Sequence, residues 1–208
     1  MYPLQLATIK NALSLYVPDQ ALVRTTYQKL VDTDPTVLFP YWAKIWASSD
    51  AMVQFLQEHP IWIQDKTVLE IGAGIGIPSL SIAAHAHKVI ISDYAPDAVM
   101  LIQKNIEHLK VTNAQAMYLD WNNIPVDINA DSILLSDTNY DPSTYNNLIL
   151  LIERFIHNGS IIIVATPNRI ASNGFIERIS KFVTSSKNYS INEKDGATEI
   201  AVLVLKEK

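Results

Sequence analysis

The chain of 208 residues contains no cysteine, which excludes a disulfide framework, a zinc–thiolate site and a thiol nucleophile. Charged residues are also few, at 18%, and the net charge is −5. Because proteins that bind duplex nucleic acid usually carry a basic surplus, a nucleic-acid partner is disfavoured. No apolar run approaches the length of a membrane span, and no basic segment near the start precedes a long apolar core. We therefore expect a cytoplasmic protein with no membrane partner.

Histidine is the other common metal ligand, and its five copies are scattered along the chain. The closest pair, His85 and His87, falls at a predicted helix end, where two rings at that spacing do not share a face. Such spacing favours a surface location over a metal site, and we predict no metal.

The composition is nevertheless that of a globular protein, since 49% of the residues are hydrophobic. A chain of this length can bury a sizeable core, and no repeat or low-complexity linker divides it. We therefore predict one domain over residues 1–208, in which residues 1–60 form a helical N-terminal extension or lid.

Glycine is scarce too, yet Gly72, Gly74 and Gly76 crowd into five residues. They follow a short aliphatic run, residues 66–71, that is typical of a strand buried on both faces. The pattern predicts a strand, a sharp turn that a ligand can approach closely, and then a helix. A dinucleotide fingerprint requires a glycine where this chain has Ile77. On this stretch alone, glycines that serve only packing remain an alternative.

Strand and helix patterns alternate through the rest of the chain. Predicted strands cover residues 66–71, 88–92, 114–119, 131–136, 160–165, 188–193 and 198–205; predicted helices cover 18–31, 96–109, 143–157 and 170–184, with one more from caps at 48–50 to residue 59. The Asp195-Gly196 connection is too short for a parallel crossover, so the last two strands should form an antiparallel hairpin. The predicted fold class is α/β: a Rossmann-like, doubly wound sheet of seven strands, mostly parallel, with one antiparallel strand from the C-terminal hairpin. The spacing in residues 1–17 does not separate strand from helix.

Acidic residues end the first four of the predicted parallel strands. They are Glu70, Asp93, Asp120 and Asp137. Ligands of doubly wound sheets bind beyond the carboxyl ends of the strands. Any one of these side chains can cap a helix, but capping explains four in succession less well. Asp93 lies 21 residues after Gly72, where a carboxylate can accept hydrogen bonds from both hydroxyls of a ribose and reject a 2′-phosphate.

Four segments carry a family resemblance: PYWAKIW at 40–46, KTVLEIG at 66–72, LDW at 119–121 and SDTNYD at 136–141. With them the chain resembles the S-adenosylmethionine-dependent methyltransferases of the seven-strand class. Among these it is most similar to the lysine protein methyltransferases of methyltransferase family 16, especially the group that acts on the electron transfer flavoprotein beta subunit. The resemblance covers roughly residues 38–170. It implies S-adenosyl-L-methionine as the cofactor and a protein lysine as the acceptor.

The resemblance also implies a role for each site residue. The segment 70–76 would hold the methionine part of the cofactor, and Asp93 its ribose. Two tryptophans would border the adenosine, and two further residues would line the channel for the acceptor amine. The predicted catalytic residues are thus Asp137 and Tyr140, and the predicted cofactor-binding residues are Trp46, Glu70, Gly72, Gly74, Gly76, Asp93, Tyr94, Trp121 and Ser136. Trp121 offers a large flat surface, although plain core packing remains an alternative for it.

The chain departs from the family pattern at two places, of which the first is compatible with the start of a helix and the second bears on the acceptor. Ala47-Ser48-Ser49 follows Trp46 where the family commonly has Pro-Gly-Gly or Pro-Ser-Gly, and Thr138-Asn139 replaces a hydrophobic or aromatic pair. A lysine must lose a proton before it attacks, because an ammonium has no lone pair. We expect Asp137 to position the amine and accept its hydrogen bond.

Other functions stay open at this point. They are methylation of a small-molecule amine and non-catalytic binding of S-adenosylmethionine. Base methylation in nucleic acid is a weaker alternative, because its motif of Asp or Asn, two prolines and an aromatic is interrupted here by Thr138-Asn139. Nicotinamide-dependent oxidoreduction is disfavoured by the glycine spacing and the terminal hairpin. The oligomeric state is not predicted.

Overall fold

The computed structural model describes residues 2–9, 13–168, 173–193 and 196–207. Its strands are β1 (Leu4–Thr8), β2 (Ser14–Pro18), β3 (Thr67–Ile71), β4 (Lys88–Asp93), β5 (Ala114–Tyr118), β6 (Ser132–Ser136), β7 (Ile161–Pro167), β8 (Val183–Glu193) and β9 (Gly196–Leu205). Its α-helices are α1 (Gln20–Thr33), α2 (Ala47–Glu58), α3 (Ile77–Ile82), α4 (Pro96–Leu109), α5 (Tyr145–His157) and α6 (Asn173–Ile179). Short 3₁₀ turns occupy several connections, including Tyr41–Ala43, Trp121–Asn123 and Pro142–Thr144.

The larger sheet has seven strands in the order β5-β4-β3-β6-β7-β9-β8. The five strands from β5 to β7 pair in parallel, whereas β9 is antiparallel to both of its neighbours. This arrangement confirms the predicted fold class, including the C-terminal hairpin. The hairpin connection, with Asp195, lies outside the described residues. Since the chain runs outward from β3 to β5 and then returns to β6 on the other side of β3, the topological switch point lies between β3 and β6.

Two helical layers cover the sheet, so its central strands bury both faces. Val68 of β3 packs in the layer that contains α2, α3 and α4, whereas the next residue, Leu69, packs in the layer that contains α5 and α6. Ile91 and Ile90 of β4 divide in the same way. Strands buried on both faces consist almost entirely of aliphatic residues. This is why the sequence predicted these strands close to their observed bounds.

The N-terminal segment corrects one expectation. Residues 1–60 were predicted as a helical extension, but the segment begins with an antiparallel hairpin of β1 and β2. Leu15 and Val17 are buried at the two-residue period of a strand. The hairpin is fixed to α4 by the buried side chain of Asn105, whose amide accepts from Tyr16 N at 2.8 Å and donates to Tyr16 O at 3.0 Å. Helical structure starts only at α1, where Asp19 caps Ala21 N at 3.0 Å.

The predicted helix over residues 170–184 is also too long. The residue at its predicted start, Ile170, lies outside the described residues, and α6 ends at Ile179 with a 3₁₀ turn behind it. Strand β8 then starts at Val183, five residues before its predicted start. This first half of β8, at the edge of the sheet, is polar and mostly exposed, so it shows no apolar alternation by which a strand can be recognised.

Two features are absent from the residues that the structure describes. No helix among them is both long and apolar enough to cross a membrane. Nor do three or more histidine, aspartate or glutamate side chains among them come together as metal ligands.

Candidate active site

A cavity of about 380 Å³ opens at the carboxyl ends of β3, β4 and β6, beside the topological switch point. This volume lies in the range of pockets that hold small molecules and cofactors. The cavity is formed by the glycine loop after β3, the ends of β4 and β6, the 3₁₀ turn after β5, and the aromatic segment 41–49. The fold thus brings together parts of the chain that are almost a hundred residues apart.

Most of the predicted site residues line this cavity. They are Trp46, Gly72, Gly74, Asp93, Tyr94, Trp121, Ser136, Asp137 and Tyr140. Two of the other lining residues, Ala73 and Ile75, belong to the segment 70–76 that was predicted to hold the methionine part of the cofactor. The remaining lining residues were not predicted, namely Tyr41, Trp42, Lys44, Ser49, Ile77 and Thr138. The sequence signal for Tyr41 and Trp42 was the density of aromatic residues in segment 40–46, because rings that cluster outside a strand or helix pattern need a surface to cover.

Glu70 does not line the cavity, and its assignment to the cofactor stays a prediction. Its side chain is fully buried behind the glycine loop, and its Oε2 accepts a hydrogen bond of 3.1 Å from Ser79 N in the first turn of α3. The carboxylate thus caps a short helix whose Gly76 N-cap has no side chain to do so. The pKa of Glu70 is raised to about 7, chiefly by burial and to a lesser extent by the nearby Asp93, while the hydrogen bond from Ser79 acts in the opposite direction.

Gly76 also lies outside the cavity lining, and its predicted role in cofactor binding stays a prediction. It adopts the left-handed conformation, with φ of 80°, at the start of α3. A Cβ at this position would lie 3.1 Å from Ile91 Cγ2. Close packing of α3 onto β4 is therefore what requires this glycine.

Gly74 is the glycine at which the backbone approach is closest. Its φ is 57°, and a Cβ here would lie only 2.9 Å from the carbonyl oxygen of Trp42. The glycine loop therefore lies directly against the aromatic segment, without room for a side chain. This contact holds two walls of the cavity together.

Asp93, at the end of β4, is almost completely buried and uses both carboxylate oxygens within the chain. Oδ2 accepts from Gly74 N at 2.8 Å, and Oδ1 accepts from Ala95 N at 2.9 Å. Burial raises the pKa of this carboxyl, while the hydrogen bonds from Ala95, Gly74 and Tyr94 act in the opposite direction. Asp93 therefore shapes the glycine loop and also lines the cavity.

Asp137, directly after β6, is held in an unusual backbone conformation. Its φ is 53°, in the left-handed region that few residues other than glycine adopt, and its N–H donates to Ala165 O of β7 at 2.8 Å. Local strain of this kind clusters at functional sites. The side chain is buried, yet it lines the cavity.

Capping is performed by other aspartates. Asp141 accepts from Ser143 N at 2.9 Å and so caps the 3₁₀ turn that leads into α5, a role that Asp137 could also have had on sequence grounds. Asp120 similarly accepts from Asn122 N at 2.9 Å, and it does not line the cavity. Of the four acidic strand ends, therefore, Asp93 and Asp137 line the cavity.

Two hydroxyl groups in the cavity wall are buried without a protein partner. Among the described residues, neither Ser136 Oγ nor Thr138 Oγ1 has a hydrogen-bond partner, and both residues line the cavity. Because buried polar atoms are usually paired, these two hydroxyls are available to hydrogen-bond a polar ligand in the cavity. Thr138 is thus part of the site and more than a departure from the family pattern.

Aromatic rings form the rim of the cavity. Tyr41 contacts Trp46 and Tyr140, with ring centroids 6.4 Å and 5.2 Å apart. Trp46 is held from behind by its Nε1, which donates to Tyr41 O at 3.1 Å. Burial raises the pKa of Tyr140 to about 12, with neighbouring Tyr94 and Asp141 as lesser causes, so its phenol stays neutral at physiological pH.

A surface groove of about 590 Å³ adjoins the cavity. Its far wall consists of residues from the end of β7 and from the β8–β9 hairpin, including Asn168, Glu193 and Glu199. Lys44, Trp46 and Asp137 line both the groove and the cavity, and we call these three residues the junction. Trp46, predicted beside the adenosine, thus lies where the cavity opens into the groove.

These features define the class of protein as a seven-strand, Rossmann-like methyltransferase fold with its cavity at the switch point. The N-methyltransferase NodS of Bradyrhizobium japonicum WM9, solved in complex with S-adenosyl-L-homocysteine, shares this fold. Its TM-score to this chain is 0.63, at 16% identity, over 88% of this chain and 99% of that one. The family model described as lysine methyltransferase matches residues 40–182. The protein belongs to this family, as its motifs predicted.

Curated relatives share the central part of the chain. The protein is 30% identical over 136 residues to the histone-arginine methyltransferase METTL23 of Xenopus laevis, covering 62% of this chain and 58% of that protein. It is 27% identical over 137 residues to the electron transfer flavoprotein beta subunit lysine methyltransferase of Mus musculus, covering 62% of this chain and 51% of that protein. The chain therefore spans less than two thirds of the length of either relative. One of these relatives is named for an arginine acceptor and the other for a lysine acceptor, so their names do not agree on one acceptor residue.

Proposed function

We propose that this protein binds S-adenosyl-L-methionine in the cavity and transfers its methyl group to a lysine amine of a protein substrate. One observation carries the proposal: two acidic strand ends, Asp93 and Asp137, line the same aromatic cavity, and Asp137 also lines the groove outside it. Two carboxylates in one aromatic cavity suit a ligand that carries both hydroxyl groups and a cationic centre.

The donors and acceptors of the cavity fit this cofactor. The carboxylate of Asp93 accepts two backbone hydrogen bonds and retains further lone pairs for the hydroxyls of a ribose. Trp121 lines the cavity and would offer a flat face to an adenine ring. The unpaired hydroxyls of Ser136 and Thr138 would gain partners from the polar groups of the ligand.

The chemistry asks the chain chiefly for alignment. The bound cofactor supplies a methyl group that is already activated on a sulfonium sulfur, so catalysis rests on holding the acceptor in line with it. Asp137 is placed at the junction to accept an N–H of the incoming amine and fix its direction. The aromatic rim formed by Tyr41, Trp46 and Tyr140 limits access of water, which favours the neutral amine over the ammonium.

The groove supports a protein acceptor. It is an open surface depression that meets the cavity at the junction, so a side chain can reach inward while its backbone lies outside. Glu193 and Glu199 in its far wall favour a segment with basic residues near the acceptor. We accordingly assign Trp46 to the acceptor side. The relatives named for protein arginine and protein lysine methylation agree with an acceptor of this type.

Calorimetry tests the cofactor. S-adenosyl-L-methionine and S-adenosyl-L-homocysteine should both bind the purified protein, and NAD should not. Binding of NAD, with no heat from either adenosyl compound, would contradict the proposal.

Transfer from methyl-labelled S-adenosyl-L-methionine tests the acceptor. The protein should label lysine side chains in the protein fraction of a lysate and leave the small-molecule fraction unlabelled. Label confined to the small molecules would establish a small-molecule amine methyltransferase instead. Binding without transfer to either fraction would leave a non-catalytic binding protein.

A further inference from the structure

Lys44 places a primary amine of the chain at the mouth of its own cavity. It is exposed, it lines both the cavity and the groove, and its Nζ lies 4.2 Å from the ring centroid of Trp46. Of the described lysines, it is the one that lines the cavity. An acceptor amine that enters from the groove therefore meets the junction to which Lys44 belongs.

We propose that Lys44 is itself an acceptor, so that the protein methylates its own Lys44. The inference rests on the proposed methyltransferase activity and adds a modification site to it. Lys44 shares the junction with Asp137, the carboxylate assigned to orient an amine. An amine that is tethered at the site also reacts at a high effective concentration and needs no docking surface.

The step balances with the groups already named. Lys44 Nζ loses one proton to water and then forms an N–C bond to the methyl carbon. The C–S bond breaks, its electron pair stays on sulfur, and the sulfonium becomes a neutral thioether. The positive charge passes to the attacking nitrogen, which becomes a methylammonium, so methylation keeps the charge of lysine.

Trp46 gives the modification a physical consequence. The face of an aromatic ring attracts ammonium groups, including fully methylated ones. Methylated Lys44 would therefore stay on Trp46, larger than before and with fewer N–H donors. Self-methylation should thus narrow the mouth of the cavity for other acceptors.

Mass spectrometry reads the modification directly. The protein is incubated alone with S-adenosyl-L-methionine, and its peptides are mapped; methyl groups are expected on Lys44 and should be absent from Lys44→Arg. Lys104 is the matched control residue, because its Nζ lies at the same 4.2 Å from a ring centroid, that of Tyr16, but away from the cavity. Lys104→Arg should therefore methylate Lys44 as the wild type does. The fraction modified should not change on dilution, because the reaction occurs within one molecule.

A second measurement needs no turnover. Bound S-adenosyl-L-homocysteine should slow the labelling of Lys44 by an amine-reactive reagent at least several-fold and leave Lys104 unchanged. If the ligand binds by calorimetry, but Lys44 is neither protected nor methylated while lysate proteins are labelled, the self-methylation proposal is wrong and the proposed function stands. If no adenosyl ligand binds and no methyl group is transferred to any acceptor, the proposed function itself is wrong.

Discussion

The backbone N–H of Gly74 donates a hydrogen bond of 2.8 Å to the carboxylate of Asp93. This bond joins the glycine loop after β3 to the end of β4, while the opposite side of Gly74 lies against the carbonyl of Trp42. Three distant parts of the chain therefore meet at one residue. The shape of the cavity depends on both contacts of Gly74, with Asp93 and with Trp42.

Replacing Asp93 should affect both ligand affinity and stability. Asp93→Ala removes the acceptors for two backbone N–H groups and for the ribose, so we expect a loss of about 2–3 kcal/mol in S-adenosyl-L-homocysteine affinity, together with a lower melting temperature. Asp93→Asn keeps one acceptor oxygen, so its ligand affinity and its melting temperature should fall less than those of Asp93→Ala. Calorimetry and thermal melting check these outcomes. The matched control is Asp141→Ala, a cap outside the cavity, which should lower stability slightly and leave affinity unchanged. Unchanged affinity in folded Asp93→Ala would restrict Asp93 to a capping role.

Replacing Asp137 should separate binding from catalysis. Asp137→Asn keeps nearly the same shape but is a poorer acceptor for the amine, so methyl transfer should fall by about 10²–10⁴-fold. The affinity for S-adenosyl-L-homocysteine should change much less than in Asp93→Ala. Single-turnover transfer and calorimetry on one preparation measure both quantities. An Asp137→Asn protein that is destabilised but fully active per folded molecule would sink the catalytic assignment.

A methyl group at Gly74 should disrupt the contact with the aromatic segment. In Gly74→Ala the new Cβ meets Trp42 O at 2.9 Å, in addition to the strain of a positive φ. Gly159→Ala is the control, because Gly159 also has a positive φ of 86° but nothing within 4 Å of a Cβ. We expect the control to cost about 1–2 kcal/mol in unfolding free energy from strain alone. Gly74→Ala should cost more and also weaken binding of S-adenosyl-L-homocysteine. Equal stability losses with intact binding would show that the contact is unimportant.

Glu70 should make stability depend on pH. Its pKa in the fold is about 7, above the ordinary 4.5, so its stabilising contribution is complete below pH 4.5 and is lost as the pH rises through 7. Glu70→Gln does not titrate, and the difference in unfolding free energy between it and the wild type should shift by roughly 3 kcal/mol across that window. Denaturant unfolding at several pH values measures this. Glu58→Gln should show the opposite pH dependence. The hydrogen bond from Lys187 lowers the pKa of Glu58, so the stabilising contribution of Glu58 is lost as the pH falls. A pH-independent difference for Glu70→Gln would show that its carboxyl does not titrate in this range.

Local patterns predicted the central sheet because its strands carry their own evidence. Val68 and Leu69 bury opposite faces, so consecutive positions of β3 are aliphatic and the strand can be recognised from its own sequence. The same patterns failed where the partner decides the conformation. Leu15 and Val17 form a strand because Asn105 of α4 pairs with the backbone between them, and the polar start of β8 is a strand because β9 pairs with it.

The same distinction between local sequence and tertiary packing applies to the site. Residue types and spacing revealed the glycine turn and the acidic strand ends, and the resemblance of four short motifs indicated a lysine methyltransferase family, because each depends on residues adjacent in sequence. Only the tertiary structure decided that Glu70 turns inward to cap α3 while Asp137 lines the cavity, although both follow the same local pattern. It also decided that Lys44 and Trp46 meet Asp137 at one junction, since residues more than ninety positions apart come together only through the packing of the whole chain.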